Sequence, residues 1–394
     1  MKSLLFIITM SFCCCRQNDS FHQLVDNQLK RSIEQSELMA QSLIDQHDRL
    51  PKTTDGEGRF ITSDWVWWCS GYFPGTLWYL YEYNNDSRLL DYSRNYTARV
   101  EEAKNDRSKH DIGLMLYCSF GNGYRITGDT VYRNILLAGA ASLASRFNPV
   151  IGSIQSWDAS KRLGWQYPVI IDGMVCLELL LWASKETGDP KYRDISISHA
   201  DVTMKNHFRP DHSSYHVVSY DTITGLPQIK ATAQGFADES AWARGQAWGL
   251  HGYTMMYRET GEQRYLTQAK NIAGFILNHP NLPTDKIPYW DFDAPDIPNA
   301  LRDASAGAII ASALIELSGY VDATLAKSYL EVAETQIRTL SSPEYFAEEG
   351  TNANFILKHS VGSLPDKSEV DVPLTYADYY YIEALMRYRA LLSK

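Results

Sequence analysis

No block of lysine and arginine interrupts the 394 residues, and the formal net charge is -10. A nucleic-acid partner, which needs a basic stripe along one face, is excluded on that ground. The zinc-peptidase H-E-x-x-H, the phosphate-cradling G-x-x-x-x-G-K-[ST] loop and the G-x-S-x-G nucleophile elbow are also missing. Metal, nucleotide and serine-nucleophile chemistry therefore lack their usual residues, and neither a cofactor nor a metal is expected. Cysteine is scarce. Of six, three stand together as Cys13 to Cys15, and Cys69, Cys118 and Cys176 lie apart in apolar surroundings. That odd, scattered trio forms no disulfide framework or metal cluster and reads as small buried hydrophobes.

The opening MKSLLFIITMSFCCCRQ has one lysine and an apolar stretch from Leu4 to Phe12. Such a stretch is too short to span a bilayer, which takes about 20 residues, and it reads as a secretion signal over residues 1–15. The cysteines that follow suggest a lipoprotein site, although Phe12 is bulkier than the small residue usual there. The expectation is a bacterial protein exported to the periplasm or anchored by lipid at the cell envelope. The only membrane contact would be through that lipid.

What is plentiful is aromatic. Tyrosines number 25 and tryptophans 10 in a chain that is 44% hydrophobic. That content suits a large core and also an aromatic-lined cleft for a sugar ring. The chain also repeats itself. RITGDTVYRNILLAGAASLASRF, KETGDPKYRDISISHADVTMKNHF and RETGEQRYLTQAKNIAGFILNHP share a T-G-D/E turn between two helical patterns. Gly128, Gly188 and Gly261 fit the left-handed position after a helix, and Asp129, Asp189 and Glu262 place a carboxylate at the next helix start. Degenerate copies lie at Asn84–Asp86 and Gly319–Asp322.

Very apolar helices are expected from about Phe73, Ile112, Gly173, Ala241, Ala304 and Tyr376. Amphipathic ones are expected over Val25 to Gln46 and from about Ser87, Thr130, Pro190, Glu262 and Asp322. SSYHVVSYD and IPYWDFD read as a small hairpin or irregular loops. Six pairs, each with one very apolar member, predict a closed all-α ring, the (α/α)6 barrel, as a single domain over 24–394. An open solenoid is the alternative.

In such a ring, the residues at the start of every inner helix converge on one funnel. They include His110 and Asp111, Asp172, Trp242, Arg244 and Trp248, Arg302 and Asp303, and Asp371 and Asp378; Trp65, Trp67 and Trp68 lead the first. Paired carboxylates, aromatic walls and a guanidinium are what an acidic sugar requires. Asp303 and Asp378 read as caps or support, Trp67, Trp68 and Trp182 as core, and His199 and His207 as surface or packing residues. The segment 359–374 reads as a loop at the funnel mouth, with Ser360, Ser363 and Lys367 a cradle for a sulfate on a second sugar.

KHDIGLM, IIDGM, SSYHVVSYD and DESAWARGQAWG together resemble the unsaturated glucuronyl hydrolases, glycoside hydrolase family 88, from about Asn27 onward. The resemblance implies the (α/α)6 barrel and release of a 4,5-unsaturated uronic acid from the non-reducing end of oligosaccharides left by polysaccharide lyases, glycosaminoglycan products among them. It implies Asp172 as catalytic acid/base and Asp111 as the second essential carboxylate. Substrate contacts are implied for His216, Gln234, Trp242, Arg244 and Trp248, and for Trp65 and Trp157. An unsaturated rhamnogalacturonyl hydrolase and a non-catalytic carbohydrate-binding toroid are the rival readings.

Overall fold

The computed structural model describes residues 5–392, with side chains from Ser20 onward. The expected leader and its cysteines lie outside the residues whose side chains are described. The helices are α1 (Leu5–Ser42), α2 (Tyr72–Asn84), α3 (Ser87–Ala98), α4 (Ile112–Leu116), α5 (Asn122–Thr127), α6 (Thr130–Ala144), α7 (Gly173–Thr187), α8 (Pro190–Asn206), α9 (Ala243–Thr260), α10 (Gln263–Asn278), α11 (Ala304–Ser318), α12 (Ala323–Leu340) and α13 (Thr375–Leu392). A π-helical turn, Tyr117–Gly121, joins α4 and α5 into one rod.

The rods alternate between an outer and an inner ring. The inner ones are α2, α4–α5, α7, α9, α11 and α13; each packs on its two neighbours, and α13 returns to α2 to close the circle. The fold is the (α/α)6 barrel. Helix α11, ASAGAIIASALIELS, is buried almost all round, because small residues let its backbone approach α9, α12 and α13. The outer α10 and α12 bury only one face. Close approach inside the ring depends on glycine. A Cβ on Gly113 of α4 would meet the carbonyl oxygen of Cys176 on α7 at 2.5 Å.

Gly128, Gly188 and Gly261 end their helices at φ of 68°, 75° and 72°, as their place in the repeat predicts. The following Asp129 and Asp189 accept hydrogen bonds from the first turn of the next helix. Glu262 does not cap. Its carboxylate pairs with Arg193 and Arg264 instead. Gly319 is right-handed, at φ -73°.

Among the described residues, the strands form four small antiparallel sheets. Pairing with one another are β1 (Leu50–Thr54) and β2 (Phe60–Ser63), and also β3 (Phe147–Asn148) and β4 (Ser153–Ile154). A third sheet runs β5 (Pro168–Ile170), β6 (Val217–Tyr220), β7 (Pro227–Ala231). The fourth joins β8 (Ser360–Ser363) to β9 (Ser368–Val372). All lie in connections leading into inner helices, so they decorate one mouth of the ring. The 359–374 segment is therefore a β-hairpin rather than the expected loop.

Candidate active site

At that mouth a pocket of about 350 Å3 opens over the starts of α4, α7 and α9. Asp111 and Asp172 face it, with Val66, Trp67, Trp68, Lys109, Trp157, Ile170, Gln234 and Arg244. Among the described residues, five helices begin at an aspartate whose side chain accepts a first-turn N–H: Asp86, Asp129, Asp189, Asp303 and Asp322. Asp111 and Asp172 precede α4 and α7 in the same way, yet neither side chain makes a cap bond. Both have helical backbone angles instead of the extended angles of a cap residue, so the carboxylates are free for other work.

Asp172 Oδ2 is buried and makes no hydrogen bond within the chain. Burial pushes its pKa up from 3.8 to about 6; His110 and Arg244 pull the other way, and Asp111 adds to the rise. A carboxyl with these properties keeps a protonated fraction in mildly acidic to neutral solution and can give that proton up. Behind it stands His216. Its Nδ1 accepts the N–H groups of Ala233 at 3.1 Å and Gln234 at 3.3 Å, so the neutral ring carries its proton on Nε2, 3.7 Å from Asp172 Oδ2. Burial holds the imidazole well below its usual pKa and therefore neutral. A matching pair lies across the pocket, with His110 Nε2 3.4 Å from Asp111 Oδ1 and His110 Nδ1 3.2 Å from Ser156 Oγ.

Arg244 is 1% exposed. Its guanidinium donates to the carbonyls of Val361 and Gly362 on β8 and pairs with Asp303 at 3.3 Å, so it clamps the β8–β9 hairpin to the ring. Only Nε is left without a partner. Gln234 donates to the same Gly362 carbonyl at 3.3 Å. Trp157 stacks on Trp165 at 5.9 Å and forms one wall.

Several sequence-predicted residues sit elsewhere. Trp242 is 2% exposed, packed at 4.4 Å on the His216 ring and beneath Arg244, so it supports the site from behind. Trp248 lies deeper, edge-on to Tyr380 at 5.4 Å, and belongs to the core. Trp65, Trp67 and Trp68 all pack against the core, as expected for the last two; Trp67 and Trp68 also line the pocket, and Trp65 is not among its lining residues. Residues 64–71 are turns, and without helical or strand periodicity nothing in DWVWW says which indole faces inward. The expected sulfate cradle does not assemble. Ser360 is fully buried, the Ser363 hydroxyl donates to Asp366 at 2.8 Å, and Lys367 sits exposed in the hairpin turn. Arg302 turns away to Asp285 and the Ile287 carbonyl, and Asp371 pairs with His359. Asp303 caps α11, and Asp378 accepts the N–H groups of Ile356 and Leu357. His199 and His207 are buried packing residues. Lys109 was missed. It stands two residues before Asp111, and its ammonium donates to the Val66 carbonyl on the pocket wall.

Comparison with known proteins gives the family. The profile of Glycosyl Hydrolase Family 88 matches residues 35–388. An unsaturated glucuronyl hydrolase of Formosa agariphila is 45% identical over 83% of this chain and 81% of its own. An unsaturated chondroitin disaccharide hydrolase of Streptococcus agalactiae is 34% identical over 82% and 81%. A crystal structure of an unsaturated glucuronyl hydrolase specific for heparin superposes with a TM-score of 0.91 at 47% identity, covering 94% of this chain and 98% of the other.

Proposed function

The chain belongs to Glycosyl Hydrolase Family 88, and on that footing we propose that it releases 4,5-unsaturated uronic acid from the non-reducing end of glycosaminoglycan-derived oligosaccharides by hydrating the ring's double bond. The observation that carries this reading is Asp172, a buried helix-start carboxyl that makes no cap bond and whose pKa is raised to about 6, beside a second carboxylate that makes no cap bond either. A carbohydrate-binding toroid without catalysis would have no use for such a group. Its desolvation costs stability and no cap bond offsets the cost.

An ordinary glycosidase flanks the scissile bond with two carboxylates in separate roles. Here the substrate is a vinyl ether, and one carboxyl can serve both proton transfers. Asp172 gives its proton to C4, and positive charge develops at C5 and the ring oxygen. Water adds at C5 and returns a proton to the Asp172 carboxylate. The resulting hemiketal opens to a C5 ketone, and the hemiacetal left at C1 expels the remaining saccharide. His216, neutral with its Nε2 proton facing Asp172, steadies the carboxylate form between the two transfers. Asp111 favours the protonated form before the first. Arg244, which borders the pocket, supplies a positive charge to attract the substrate carboxylate, and Trp157, Trp67 and Trp68 give faces for sugar rings.

Export and lipid anchoring are proposed on the leader sequence alone. The activity is tested by following the ultraviolet absorbance of the conjugated double bond with a panel of lyase-generated disaccharides. Consumption of at least one supports the reading, and an inert panel overturns it.

A further inference from the structure

Two charged side chains behind the pocket wall take part in no step of the reaction. Lys52 lies on β1 and Glu369 on β9, and neither is among the lining residues. The Lys52 ammonium sits 3.6 Å from the ring centroid of Trp67, which does line the pocket. An ammonium over an indole face is held by the ring's negative quadrupole, more firmly where water is scarce. Glu369 Oε1 lies 3.6 Å from the same ammonium, an ion pair without a hydrogen bond.

Glu369 keeps this place at a cost. Its side chain is 8% exposed, Oε1 has no hydrogen-bond partner, and the backbone is left-handed at φ 56°. Burial raises its pKa while Lys52 and Arg244 pull it down, so its charged form depends on those cations. Non-glycine residues held in such a conformation cluster where geometry serves function. The side chain also packs on Gly362, where a Cβ would come within 2.6 Å of both Glu369 Cβ and Oε2. The Gly362 carbonyl is the one that accepts from Arg244 and Gln234. Thr53, next to Lys52, donates to the Pro373 carbonyl at 2.8 Å and ties β1 to the end of β9. Contacts therefore run unbroken from Arg244 through Gly362, Glu369 and Lys52 to Trp67.

We propose that Lys52 and Glu369 are positioning residues for substrate binding: Glu369, seated against Gly362, holds the Lys52 ammonium over Trp67 and so fixes that indole at a set place relative to Arg244. The assignment rests on the reading of Trp67 as a face for a sugar ring. Steady-state kinetics test it, on the panel disaccharide that the wild type consumes fastest. Lys52→Met keeps the length and removes the charge; it should raise KM at least about threefold and leave kcat within about twofold. Lys52→Arg should restore KM, and Glu369→Gln should resemble Lys52→Met. Trp67→Ala should raise KM by itself, and Lys52→Met added to it should change nothing further, whereas a merely structural lysine would cost the same in both backgrounds. If Lys52→Met lacks a native melting transition, Glu369→Gln is read in its place; failure of both assigns the pair to the fold and overturns the proposal. With an active wild type, an unmoved KM in Lys52→Met or in Trp67→Ala, or an equal rise with and without Trp67, also overturns it. A wild type inert on the whole panel overturns the functional reading, and this assignment falls with it.

Discussion

Asp172 bears a cost that Asp129 or Asp303 does not, because one oxygen of its carboxylate, Oδ2, is taken from water without a hydrogen bond in return. The linkage has a definite sign. Folding raises this pKa from 3.8 to about 6, so the penalty on the charged form is fully present above pH 6 and fades as pH falls towards 4. Asp172→Asn should therefore stabilise the fold at pH of about 7.5 by up to roughly 3 kcal/mol and leave it unchanged near pH 4, as read by urea unfolding. The same substitution should lower turnover by roughly two to four orders of magnitude. Loss of activity with loss of stability would make the side chain structural. Asp111→Asn removes a neighbouring anion that raises the Asp172 pKa. In whatever activity remains, the alkaline limb of the kcat/KM profile should move to lower pH; a near-normal rate with an unmoved limb would return Asp111 to an idle helix start.

Among the elements, α4 and α7 matter most, since each presents one of the two carboxylates at its first turn. They touch at Gly113, where a methyl group would run into the Cys176 carbonyl. Gly113→Ala should cost about 1–3 kcal/mol and lower kcat as well, by prying the two helix starts apart. A variant with normal kcat would uncouple that contact from the site. The β8–β9 hairpin depends on Arg244, whose fork holds two adjacent carbonyls and Asp303. Lysine cannot reproduce that fork, so Arg244→Lys should raise KM more than it lowers kcat and leave far-ultraviolet helicity intact. Collapse of the helical signal would instead assign Arg244 to the core. This hairpin also shows where sequence reading runs out. Lys367, Glu369 and Asp371 hold φ of 52°, 56° and 54°, left-handed positions that non-glycine side chains do not announce. The starts of α4, α7 and α11 were legible to the residue, because Ile112, Gly173 and Ala304 open strongly apolar runs.

At the scale of the whole molecule, the repeated T-G-D/E turn makes the ring legible, since each copy reverses the chain and pairs one apolar rod with one amphipathic rod. Closure itself brings together Asp111 and Asp172, 61 positions apart, and sets Gln234 and Arg244 beside them. Which tryptophan faces inward was settled by irregular chain between the rods, where no period applies. The central claim is that Asp172 hydrates the double bond and that cleavage follows from it. The most direct measurement follows, in one reaction at initial rate, the loss of the double-bond absorbance and the release of the reducing saccharide, for the wild type and for Asp172→Asn. The two signals should fall and rise one for one in the wild type, and both should vanish in the variant. Saccharide released while the absorbance persists would place attack at C1, as in an ordinary glycosidase, and contradict the account.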